Sequence, residues 1–277
     1  MSMLLVFRTN TAYDRFWEGR KTWGTIEETV SNILRMIRVC VKTDTAKEEQ
    51  EKLQALKNTV AFAYSVRSYL NEETEVIYPK LYSLLNSQTK NFVQSKSSFH
   101  NFHAVDTAVT LVSASSSTQS DRSPILPKVS DRSFRIEDIN LPLRLLNQLT
   151  EFITNIPDGK IKPTTANLLQ MHTNTLSCAF KACLRIQTTP IPQAYSSHLY
   201  QTIWLYLLYL PWTLGSSTDL NVVVIQLIVA FMLLGTMVIG EEIEDPFGKD
   251  QNDLQTQKFC DNLYDELTFS FEAMNAN

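Results

Sequence analysis

The apolar positions of this chain recur with helical spacing along most of its length. Over residues 1–42, aromatic and basic residues interleave first: Phe7, Arg8, Tyr13, Arg15, Phe16, Trp17, Arg20, Lys21 and Trp23. Beyond Gly24, the apolar positions Ile26, Val30, Ile33, Leu34, Ile37 and Val41 follow every three or four residues. That period places them on one face of an amphipathic helix. Gly19 and Gly24 are expected to weaken it locally, because glycine is a poor helix former. Thr43, Asp44 and Thr45 make a break with N-cap chemistry, ahead of a second helix over residues 46–70. Helical periodicity returns over residues 139–154, passes through a Pro157-Asp158-Gly159 turn, and resumes over 164–186. Thr189-Pro190-Ile191-Pro192 stops that helix and predicts an extended lead-in to the next element. A short amphipathic helix over 254–271 closes the chain. No set of alternating strands and no internal repeat appears, so the fold class is all-α.

One segment differs in kind. From His198 to Gly240 there is no Lys, Arg or Glu, and a single Asp, Asp219. The run divides at the polar tetrad Ser216, Ser217, Thr218 and Asp219. Its second half, residues 221–240, is nearly all apolar and long enough to cross a bilayer at about 1.5 Å per residue. Its first half carries Trp204, Tyr206, Tyr209 and Trp212, side chains suited to a membrane interface or to helix packing. Pro211 lies inside that first helix, which a membrane protein tolerates where a neighbour satisfies the freed carbonyl. The pattern predicts a transmembrane hairpin over 198–240. A buried core hairpin in a soluble helical protein is the alternative, opposed by the lack of a polar face. The start, Met1 to Phe7, is apolar for seven residues and then meets Arg8, which is not a signal peptide. It reads as the end of a helix whose earlier part is missing.

Composition sets limits around this picture. The 277 residues fit one domain or at most two. A chain that is 44% hydrophobic and 19% charged is not broadly disordered. Seven glycines are too few for a turn-rich β-sandwich or barrel. A net charge of -4 with scattered basic residues argues against nucleic acid as a partner. The mean hydropathy of -0.13 looks soluble only because it averages over an uneven chain. Within residues 86–135, Ser and Thr dominate and prolines stand at 124 and 127, which reads as a flexible insert.

Catalytic chemistry finds little support. Cys40, Cys178, Cys183 and Cys260 form no CxxC pair, and are expected to be free thiols. His100 and His103 have helical metal spacing but fall in the Ser-rich insert. There is no GxSxG, P-loop or GxGxxG. The chain does not read as an enzyme. The acidic run Glu241, Glu242, Glu244, Asp245, Asp250 and Asp253 is broken by Pro246 and Gly248. Carboxylates on an irregular turn suit a hard cation such as Ca²⁺, although the spacing is not that of an EF-hand. A solvated acidic cap on a membrane helix is the other reading. At the opposite end, Arg8, Arg15, Arg20 and Lys21 stand beside aromatics. They suit an interfacial helix whose arginines snorkel or pair with Asp14 and Glu18. They equally suit a pore-lining helix, with apolar first turns that gate by dewetting and basic turns that attract anions.

Three stretches together resemble the bestrophin family, in its branch of bacterial, plant and fungal anion channels. They are LLVFRTNTAYDRFWEGRKTWG (4–24), TPIPQAYSSHLYQTIWLYLLYLPW (189–212) and EEIEDPFGKDQNDL (241–254). The resemblance implies a single bestrophin-like domain over 1–277. Residues 1–42 would be the end of the pore helix and its cytosolic continuation, 198–240 the hairpin, and 241–277 the acidic segment and C-terminal helix. It implies a homo-pentamer around one pore in a lipid bilayer, with chloride or other small anions as cargo and both termini cytosolic. The membrane would be the plasma membrane or that of an organelle. Lys181 and Arg185 before the hairpin agree with that orientation. Met3 and Phe7 fall on the family's apolar neck, with Arg8 beside it. Thr164, after Pro163, falls on a second, cytosolic aperture. Glu242, Asp245, Asp250 and Asp253 fall on the calcium clasp of animal members. The family's first membrane helix and most of its second have no counterpart in this sequence. The expected function is therefore an anion channel subunit, with a non-conducting accessory subunit and a cation-selective channel as the alternatives. No cofactor is expected apart from calcium at the clasp.

Overall fold

The computed structural model describes residues 2–71, 79–91, 93, 140–157, 159–214 and 220–275. They form helices α1 (Ser2–Cys40), α2 (Ala46–Leu70), α3 (Pro79–Leu84), α4 (Leu141–Asn155), α5 (Pro163–Thr188), α6 (Gln193–Thr213), α7 (Leu220–Glu242) and α8 (Thr256–Asn275). There is no strand among the described residues. Of the flexible insert expected over 86–135, residues 86–91 and 93 are described, with 87–91 helical; the remainder, with His100 and His103, lies outside the described residues. The chain divides into two compact units. One holds Met1–Thr29 and Thr175–Asp261, the other Val30–Asn174 and Asn262–Asn277.

In the first unit, α1, α6 and α7 pack together through Leu5, Leu199, Ile203, Leu207 and Met237, with Tyr200, Val229, Leu233 and Leu234 around them. Val222–Glu242 is the one described helix long and apolar enough to cross a membrane, and only 6% of its apolar window is buried. A core helix of a soluble protein would be mostly covered, so this exposure opposes the buried-hairpin alternative. Phe231, Met232, Leu227 and Val238 all face outward from α7. Trp204, Leu205, Leu208, Tyr209 and Trp212 do the same on α6.

Pro211 sits inside α6 and has no N–H to offer the Leu207 carbonyl four residues earlier. The Gln226 side chain on α7 supplies the missing donor, with its Nε2 2.7 Å from the Leu207 oxygen. This is the neighbouring partner that an intramembrane proline requires.

In the second unit, α2 starts where the sequence places it. Thr45 accepts from the Glu48 N–H while the Glu48 carboxylate reaches back to the N-cap backbone, a reciprocal capping box. The Glu48 carboxylate also takes the Lys160 ammonium at 2.5 Å, and Lys160 reaches Asp44 at 2.9 Å. The Lys160 contact, then the Asp44 N–H, hold the Glu48 carboxyl down to about 2 from its ordinary 4.5. Lys160 follows a turn in which its N–H bonds the Pro157 carbonyl and Gly159 takes φ of 89°. That left-handed conformation explains glycine there. On α2, the buried Lys52 ammonium donates to the Arg38 carbonyl at 2.9 Å and the Val41 carbonyl at 2.7 Å, closing the end of α1. Burial pushes the Lys52 ammonium below its usual value. α4 opens on Asn140, whose side chain accepts from the Leu143 N–H.

α1 runs unbroken through Gly19 and Gly24, as the long helix expected over residues 1–42. α3 was not expected, its six residues being too short to show a period.

Two predictions follow from these bonds. Gln226→Leu should cost about 1–3 kcal/mol in detergent unfolding, as an orphaned carbonyl does. Most of that cost should vanish in a Pro211→Ala background, where residue 211 regains its N–H; equal costs in both backgrounds would refute the pairing. The Glu48 pKa is depressed in the folded state, so its stabilisation is complete above about pH 4.5 and is lost as pH falls towards 2. Glu48→Gln should flatten the melting temperature profile across that window and leave its higher-pH slope alone.

Candidate functional site

α1 has two distinct faces at its start. Met3 is 69% and Phe7 52% exposed, with Val6, Tyr13 and Trp17 also outward. Leu5, Arg8, Ala12, Gly19, Trp23, Ile26 and Val30 face inward. The neck candidates Met3 and Phe7 thus share one free apolar surface, one helical turn apart. Arg8, expected beside that surface, points away from it. Its side chain is 2% exposed. A fully charged guanidinium persists there only because it is paired.

The pairing is dense. Arg8 donates to the Ser196 hydroxyl on α6 and to the Glu244 carboxylate at 3.4 Å, and lies 3.5 Å from Glu241. Tyr200 on α6 donates to that same Glu241 carboxylate at 2.7 Å. The second oxygen of Glu244 accepts the Ile191 N–H at 2.8 Å, fixing the proline-flanked lead-in to α6. Two turns below Arg8, Arg15 donates to the Glu244 backbone carbonyl at 3.1 Å, the Ile186 carbonyl at 2.7 Å and the Thr189 carbonyl. Arg15 therefore closes the end of α5 and holds the chain just past α7. The charge of Arg8 is committed to this junction and is not offered to a passing ion.

The acidic segment seats itself on α1 by close packing. A Cβ at Gly19 would stand 2.9 Å from Pro246 Cγ, closer than real atoms approach, and 3.1 Å from its Cβ, tighter than ordinary contact. Phe247, 2% exposed, lies against the Trp23 ring at 6.4 Å between centroids. Beyond it, the Arg20 guanidinium stands 4.5 Å over the Phe259 ring and bonds Glu27 at 3.1 Å.

The clasp candidates stand near one another in this segment. The Asp253 carboxylate accepts the Asp250 N–H at 2.6 Å, and its other oxygen is buried with no hydrogen-bond partner among the described residues. Burial raises its pKa above the usual carboxylate range, and the negative charges of Asp250, Asp245 and Glu242 add to that. Glu242 instead bonds the Asn252 amide at 2.9 Å. Among the described residues no three His, Cys, Asp or Glu side chains converge as metal ligands. Thr164 lies in the second unit, exposed in the first turn of α5 directly after Pro163.

Four residues at this junction were not singled out by their chemistry: Arg15 as a helix cap, Gly19 as a seat, Glu244 as a hub and Ser196 as its neighbour. A signal for the first two exists. Extending the register of Ile26, Val30 and Ile33 backwards gives Trp23, Gly19, Arg15 or Phe16, Ala12, Arg8 and Leu5, which is the inward stripe. Gly19→Ala should lower stability by about 1–3 kcal/mol through overpacking on Pro246. Gly24→Ala, whose Cβ would meet only the Arg20 guanidinium tip at 3.5 Å, should gain roughly 0.5–1 kcal/mol. Equal effects at the two positions in thermal unfolding would contradict the seat.

Comparison with known proteins places this arrangement. The profile described as bacterial/fungal bestrophin protein matches residues 1–268. A voltage-dependent anion channel-forming protein of Nostoc is 32% identical over 273 residues, 97% of this chain and 74% of that protein. One of the same description from Synechocystis is 30% identical over 272 residues, 96% of this chain and 73% of that protein. Among solved structures, a bacterial bestrophin homolog from Klebsiella pneumoniae is similar with a TM-score of 0.70 and 22% identity, over 97% of this chain and 82% of that one.

Proposed function

The chain belongs to the bacterial and fungal bestrophin family, and from that premise we propose that it is a subunit of a membrane channel that passes small anions. The observation that carries this reading is the free apolar surface of Met3 and Phe7 at the start of α1, backed by a helix packed inward through Leu5 and Ala12. A ring of such surfaces from several copies makes a hydrophobic constriction. Weakly hydrated anions cross a constriction of that kind at lower cost, because they surrender less hydration energy. The outward faces of α6 and α7 suit lipid and neighbouring subunits. The names of the Nostoc and Synechocystis relatives support anions as the cargo. A homo-pentamer, with chloride among the cargo, both termini on the cytosolic side and Thr164 at a second aperture, completes the proposal. Family and relatives alike point to transport and not to catalysis.

Phe7 sets the barrier in this reading and Arg8 holds the helix that carries it. Purified protein in planar bilayers under a chloride gradient should reverse near the chloride potential. Phe7→Ala should raise the current several-fold at a fixed voltage, since removing an apolar ring relieves dewetting. Reversal near the cation potential would replace this reading with a cation channel. Silence from membrane-inserted protein would replace it with a non-conducting subunit. Native mass spectrometry in detergent reads the subunit number, with five copies expected.

A further inference from the structure

A cavity of about 500 Å³ opens in the second unit between α2 and α4, far larger than a packing defect and within the range of small-molecule sites. Ala55, Phe152 and Ile156 give it an apolar lining. Its polar wall is held rigid by its own bonds. Gln54 donates to Asn58 at 2.8 Å, Asn58 to Gln148 at 3.1 Å, and Gln148 to Thr89 at 3.0 Å. Chained amides of this kind are fixed in orientation before any ligand arrives.

The charges that line the cavity are not all spent. Lys160 is taken by Glu48 and Asp44, and Glu51 lies 3.8 Å from Lys47 on its own helix. Lys42, in the connection between α1 and α2, and Glu151, on α4, also line it. Both are exposed, and neither side chain has an ion pair or hydrogen bond among the described residues. A simple anion would meet the carboxylates of Glu48, Glu51 and Glu151. A simple cation would leave Lys42 facing it unmet. A molecule bearing both charges satisfies both.

We propose that this cavity binds a small zwitterion of the free amino-acid type, its carboxylate at Lys42, its ammonium at Glu151 and its aliphatic part on Phe152 and Ile156. The site goes beyond the channel reading and stands without it, because binding here requires no conduction.

The test is titration calorimetry on the full chain in detergent, with 6-aminohexanoate and L-norleucine as zwitterions and hexanoate and pentylamine as single-charge controls. Saturable binding of a zwitterion at millimolar concentration is expected, with each control at least about ten-fold weaker, the equivalent of one charged contact. Lys42→Gln and Glu151→Gln should each weaken zwitterion binding by about ten-fold. Both residues are exposed and unpaired, so both variants keep the fold, which matched melting curves verify. Equal binding of hexanoate or pentylamine, no saturable binding of either zwitterion, or full affinity in both variants would overturn the assignment.

Discussion

A carboxylate shared by several chain segments has to be placed by all of them at once, and Glu244 is such a group. It takes the Arg8 guanidinium from α1 on one oxygen and the Ile191 N–H ahead of α6 on the other, while Arg15 grips its backbone carbonyl. Removing Arg8 takes away the cation that faces this largely buried carboxylate, an expensive loss in a low-dielectric setting. The first two turns of α1, the lead-in to α6 and the chain beyond α7 are therefore fixed relative to one another by electrostatics. Apolar packing then fills the space between them, through Leu5, Leu199 and Met237. The exposed surface of Met3 and Phe7 inherits its position from this junction. At its start α1 is anchored through Arg8 and Arg15 as well as through Leu5 and Ala12, and it leaves Met3 and Phe7 free.

A second theme is that carbonyls left over by the helices are met by side chains from other helices. Arg15 closes α5, Lys52 closes α1, and Gln226 serves the carbonyl that Pro211 leaves open. Each of these donors comes from a helix other than the one it completes. Helix ends tied in this way do not fray independently. Gly19 works towards the same end by a different force. Its missing side chain lets Pro246 sit against the α1 backbone, so the acidic segment is located by shape before charge acts.

The helical skeleton was legible because its signals are local. The period of Ile26 to Val41 gave α1, and the N-cap chemistry of Thr43, Asp44 and Thr45 placed the start of α2. The apolar run gave α7, and Pro211 with its need for a donor was readable in outline. The individual donor was not, since Gln226 lies across a hairpin and no local pattern pairs it with Leu207. The direction of Arg8 was misread for a related reason. Basic residues beside aromatics suggest a surface, and only the register carried back from Ile26 reveals that Arg8 lies on the inward stripe. Gly19 was weighed only as a local weakening of α1 because propensity is a property of the residue, while its use as a seat depends on Pro246, more than two hundred positions away. The carboxylates around Asp253 lie close in sequence, but the bonds that Asp253 makes to the Asp250 N–H and Glu242 to the Asn252 amide depend on the turn between them and show in no local pattern.

The bond from Gln226 to the Leu207 carbonyl also bears on how the protein is made. Until α7 lies alongside, α6 carries an open carbonyl at its proline, a polar start at Gln193 and no run apolar enough to cross a membrane alone. Such a helix gains little from partitioning into lipid by itself. Once α7 has emerged from the ribosome, the carbonyl has its donor and the Ile203 and Leu207 side chains have a surface to pack on. Completion of α6 is then tied to docking of the helix that follows it in the chain.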